Sequence, residues 1–90
     1  MKVILVYDIA SGSNVLSNVR KICTKYLFHI QNSVFEGDLE KAEFEKLKKE
    51  LSLEIDKKED SIIIFSFLYK KSVDRKILGI EKNSFNDFVI

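Results

Sequence analysis

The stretch from Val3 to Ile9 constrains the fold more than any other. In an extended chain, Val3, Leu5, Tyr7 and Ile9 fall on one side, and Ile4, Val6 and Asp8 on the other. β-Branched and aromatic types dominate, so the segment reads as a strand. Both faces are apolar as far as Asp8, which predicts a central position in a sheet. Asp8 then closes the strand ahead of the flexible run Ser11-Gly12-Ser13-Asn14. A carboxylate at the C-terminal end of a buried strand lies where proteins built from strand–helix units often place their sites. A turn cap is the alternative use of the same side chain.

Ninety residues make one domain, and a chain of this length buries only roughly 60% of the surface its unfolded form exposes. The core is thin, and association would add to it. The composition, 46% hydrophobic and 32% charged, is that of a globular protein. The single cysteine, Cys23, cannot form an intrachain disulfide and sits among apolar residues at helical spacing, a packing position suited to a reducing cytoplasm. The apolar run after Lys2 is too short for a targeting segment, and nothing reaches the length of a membrane helix. Net charge is +1, with an uneven distribution: residues 1 to 35 carry a balance of +3, residues 36 to 60 one of −4, and residues 61 to 90 one of +2. If the first and last segments meet in space, one face is positive and can hold phosphates; a solvated surface explains the same charges.

After the first strand, Ser13 or Asn14 is placed to cap a helix in which Val15, Val19, Ile22, Cys23 and Tyr26 recur at three- and four-residue intervals. Its polar side carries Arg20, Lys21 and Lys25. Extended character from Phe28 to Phe35 predicts a second strand, ended by Gly37. Asp38 is the expected N-cap of a second helix, with Phe44, Leu47 and Leu51 as its apolar stripe and Glu45 paired to Lys49. Asp56 to Asp60 reads as a polar turn before the buried strand Ser61 to Tyr69. A weaker strand follows over Arg75 to Glu81, with Gly79 marking a bulge or a close approach. The order is β-α-β-α-β-β, or β-α-β-β-α-β with a hairpin extension of the second strand. The economical solution is an α+β, ferredoxin-like βαββαβ fold, an antiparallel sheet with two helices on one face and an extra C-terminal strand or tail. Residues 1–82 would form the domain, and the apolar residues Phe85, Phe88, Val89 and Ile90 of the tail 83–90 should dock somewhere.

Much chemistry is excluded. His29 and Cys23 are the only residues of their kind, too few for a zinc cluster, and Gly12, Gly37 and Gly79 are too scattered for a phosphate loop. What remains is Asp8, with basic residues on the helix that follows. Mg²⁺ commonly keeps most of its waters and takes one or two carboxylates, so a symmetric dimer bringing two copies of Asp8 to its axis would suffice.

Four signals together resemble the CRISPR-associated protein two family: VYDI at residues 6 to 9, a basic residue on the first helix, QNSVFEG at 31 to 37, and DSIIIF at 60 to 65. VYDI followed after one helix by Q-x-SVFEG is the specific part, and the resemblance runs from Met1 to about Glu81. It implies the small subunit of the spacer-acquisition machinery: a homodimer in which each Asp8 is a Mg²⁺ ligand, with metal-dependent endonuclease activity in some members on single-stranded RNA or duplex DNA. It also implies assembly with the larger CRISPR integrase subunit, this protein bridging two integrase dimers and holding spacer DNA. Nucleic acid is expected to be held by charge, through Arg20, Lys21, Lys25, Lys70, Lys71, Arg75 and Lys76 of both subunits. The chain departs from the family pattern at Ala10-Ser11-Gly12-Ser13, where further acidic residues are frequent, and at Leu27 and His29, where Gly and Arg are frequent. A non-catalytic scaffold therefore stands beside the enzyme reading, and an unrelated ferredoxin-like binding domain is the third alternative, since this fold hosts many functions.

Overall fold

The computed structural model of the chain describes residues 1–69 and 72–82. Seven elements follow one another: β1 (Lys2–Asp8), α1 (Ser13–Tyr26), β2 (Phe28–Gln31), β3 (Val34–Asp38), α2 (Lys41–Glu54), β4 (Ser61–Tyr69) and β5 (Ser72–Gly79). The strands form one sheet in the order β2-β3-β1-β4-β5, and every neighbouring pair is antiparallel. The fold is ferredoxin-like, with β5 added beyond β4. The strand predicted to be central, β1, lies between β3 and β4.

Alternation along β1 decides which face is covered. Val3, Leu5 and Tyr7 are buried and belong to one apolar cluster with Val19 and Cys23 of α1, Phe44, Leu47 and Leu51 of α2, Phe35 of β3, and Ile62 and Ile64 of β4. Each fully buried aliphatic side chain contributes about 1.5–3 kcal/mol relative to exposure. Cys23 has no exposed surface, and burial pushes its thiol up to about 12. The opposite face carries Ile4 and Val6, only half-buried, and the registers Val6↔Ile63↔Ile77 and Ile4↔Phe65 continue it across the sheet with further half-buried apolar residues. Neither helix contributes to this face through the core cluster.

The extended run from Phe28 is two strands. Asn32 adopts a positive φ of 38°, which Asn tolerates better than most residues, and the chain reverses there into a β2–β3 hairpin. His29 sits on the exposed strand β2, its ring stacked on Phe35 at 4.7 Å and its Nε2 2.6 Å from the Asn32 carbonyl oxygen. Helix starts also differ from expectation. Gly12, at φ 153°, precedes α1 and neither Ser13 nor Asn14 caps it, while Asp38 ends β3 and leaves Glu40 to begin α2. Glu45 pairs with Lys48 at 2.9 Å instead of Lys49. The last strand spans 72–79, three residues earlier at its start than its sequence pattern indicates. The tail 83–90 lies outside the described residues, as do Lys70 and Lys71.

Candidate functional site

The C-terminal end of β1 is held by a carboxylate from the turn before β4. Asp60 is fully buried, and its Oδ1 accepts hydrogen bonds from the Ala10 and Ser11 amides at 2.8 and 2.9 Å. Its Oδ2 accepts from Ser11 Oγ at 2.6 Å and from the Asp56 amide at 2.8 Å. Burial pushes this carboxyl up, but the Ser11 hydroxyl and the three amides outweigh it and hold Asp60 below the usual carboxylate range. The sequence reads Asp60 as the end of a polar turn; the structure makes it the residue that fixes the loop after Asp8. The Asp60 backbone carbonyl also accepts from the Ile80 amide at 3.0 Å. A Cβ at position 79 would lie 2.0 Å from that oxygen, so only glycine, at φ 87°, lets the chain cross here.

That crossing carries Lys82 to Asp8. The Lys82 Nζ lies 3.4 Å from Asp8 Oδ1 and 3.3 Å from the Asp8 carbonyl oxygen. Nothing in the local sequence announces this contact, since it depends on the turn at Gly79. Asp8 is exposed, on the strand face that carries Ile4 and Val6. Asp60, one residue from the Asp8↔Ser61 pairing, has its acceptors filled by four donors, which leaves Asp8 as the carboxylate at this end of β1 able to take an external ligand. Among the described residues no three His, Cys, Asp or Glu side chains converge on a metal position. Among the described residues one chain thus offers one carboxylate at this position, and two chains would offer the pair that suits a largely hydrated Mg²⁺.

The basic residues divide between surfaces. Arg20 and Lys21 are exposed on α1 and make no ion pair among the described residues, Arg20 sharing a shallow depression with Ser13, Leu16 and Ser17. Lys25 turns toward α2, where Glu50 accepts from both Lys25 and Tyr26. Those two hydrogen bonds lower the Glu50 carboxyl, and the bond to Glu50 raises Lys25. On β5, Arg75 pairs with Glu81 at 3.1 Å, opposite Phe65 on the sheet face away from the helices. Lys76 pairs with Ile64 in register and so lies on the helix side, beside Glu45, Lys48 and Lys49. Arg75 and Lys76 therefore cannot share one surface of a single chain.

Residues 1–75 match the family described as CRISPR associated protein Cas2. A Methanocaldococcus jannaschii protein named CRISPR-associated endoribonuclease Cas2 is 42% identical over 89 residues, covering 99% of this chain and 76% of that protein. A Dictyoglomus turgidum protein of the same name is 45% identical over 83 residues, 92% of this chain and 93% of its own. The crystal structure of Streptococcus pyogenes Cas2 at pH 6.5 superposes with a TM-score of 0.67 at 37% identity, covering 79% of this chain and 89% of that one.

Proposed function

Since the chain belongs to the CRISPR associated protein Cas2 family, we propose that it is a CRISPR-associated endoribonuclease working as a homodimer, with Asp8 of each chain holding one Mg²⁺. The observation that carries this reading is the position of Asp8, an exposed carboxylate at the rim of the half-buried apolar sheet face that lies opposite the helices. Two such faces stacked about 10 Å apart make a dry interface, and the same contact brings two Asp8 side chains to one boundary. Asp60 fixes the Ala10–Ser11 backbone just beyond Asp8, which supports a set position for the strand end that carries the carboxylate. Mg²⁺, when bound, lowers the pKa of its water and neutralises charge on the phosphate under attack. Arg20 and Lys21 of α1 supply sequence-independent charge for the nucleic-acid backbone.

Asp8→Asn keeps the shape and removes the charge. The expected result is loss of Mg²⁺-dependent cleavage of single-stranded RNA, with dimer mass and RNA binding retained. Cleavage that persists in the variant overturns the assignment of Asp8.

The lone carboxylate, already countered by Lys82, favours a second role for the same dimer: a bridge that binds spacer DNA and docks the CRISPR integrase subunit. On this reading Asp8→Asn leaves spacer integration by the assembled complex unchanged. Lost integration with assembly intact would place Asp8 in acquisition itself.

A further inference from the structure

Lys82 is delivered to Asp8 by the backbone. Gly79 crosses the Asp60 carbonyl where no other residue fits, Ile80 is bonded to that carbonyl, and Lys82 follows two residues later. Its side chain is 22% exposed, against 65% for Asp8. A freely solvated surface lysine gives up its rotamer entropy for little return; this one is covered along its stem and directed at two oxygens of one residue. The carbonyl contact matters as much as the carboxylate contact. It gives the ammonium a second acceptor beside Asp8 when the carboxylate is taken by another cation.

Building on the reading of Asp8 as a metal ligand, we propose that Lys82 is the resident cation of the Asp8 site. It neutralises the carboxylate in the metal-free protein, a divalent ion has to displace it from Oδ1, and Lys82 thereby sets the metal affinity of the site. Two opposed carboxylates at a dimer boundary would repel each other. One ammonium per chain removes that repulsion before any metal arrives.

The test is the affinity of the full-length protein for Mn²⁺, read from the free-ion electron paramagnetic resonance signal. Wild type, Lys82→Met, Lys82→Arg and Asp8→Asn are compared at low ionic strength. Removing an exposed-end ion-pair partner should tighten Mn²⁺ roughly two- to fivefold in Lys82→Met. Lys82→Arg, which keeps the charge, should stay near wild type, and Asp8→Asn should lose the site. A lysine needed only for folding would move the Lys82→Met value the other way, and a circular-dichroism melt of that variant identifies unfolding directly. If Lys82→Met binds Mn²⁺ no more tightly than wild type while Asp8→Asn loses binding, the role of Lys82 is overturned and that of Asp8 stands. If Asp8→Asn binds as wild type does, the metal reading of Asp8 falls and the proposal falls with it.

Discussion

The hydroxyl of Tyr7 is buried without a hydrogen-bond partner among the described residues. A polar group left unpaired in the interior costs about 1–3 kcal/mol of desolvation, and removing it recovers part of that. Tyr7→Phe should therefore leave the free energy of unfolding unchanged or raise it by up to about 1 kcal/mol, measured by urea denaturation. Asp60 is the opposite case, because every lone pair in use is matched. Asp60→Asn replaces a charged acceptor by a group that can turn only one oxygen to its four donors, and should cost about 2–4 kcal/mol. The folded carboxyl titrates below its unfolded value, so its contribution is complete above the unfolded pKa of about 3.9 and fades as pH falls through the folded one. Wild type should lose stability below about pH 4 more steeply than Asp60→Asn does. Equal slopes for the two proteins in acid melts would contradict this. Gly79→Ala drives a Cβ into the Asp60 carbonyl and should cost about 3 kcal/mol or more, because the clash is with backbone.

The helices were legible in the sequence because an apolar stripe of period 3.6 survives any detail at the ends. Val19 and Cys23 face the sheet from α1, and Phe44, Leu47 and Leu51 from α2, as their spacing requires. Helix starts were not legible, since Asp38 and Glu40 are both acidic residues within three positions of the first turn. What decides is reach: Glu43 Oε1 accepts from the Glu40 amide at 3.0 Å, closing a capping box that Asp38, still paired in β3, cannot form. Glu43→Ala should lower stability by about 1 kcal/mol without changing the sheet. The βαββαβ order called for a hairpin in this run, but the position of its turn was not legible, because Asn32 and Ser33 interrupt the extended pattern by only two residues. Alternation cannot distinguish a tight turn inside a run from a strand that continues.

At the scale of the whole molecule, one sheet face carries the helices and the other carries half-buried Ile4, Val6, Ile63 and Ile77. If this face closes the proposed dimer, Ile63→Glu puts a charge in its middle, and light scattering at micromolar concentration should give the monomer mass. A dimer surviving that change would move the interface elsewhere. Of the site, only Asp8 could be read from the chain, as a carboxylate ending an apolar strand. Asp60 and Lys82 owe their contacts to a β4–β5 pairing and a glycine crossing that no local pattern encodes, and Arg75 and Lys76, adjacent in the chain, lie on opposite faces of the sheet. The sealed position of Cys23 gives the fold a clock of its own. With no exposed surface and a thiol pushed up to about 12, it meets an alkylating reagent only when α1 lifts from the sheet. The rate of modification in the native chain therefore counts openings, and its slowing on addition of RNA or Mn²⁺ would register, without any attached label, how far each ligand tightens the molecule.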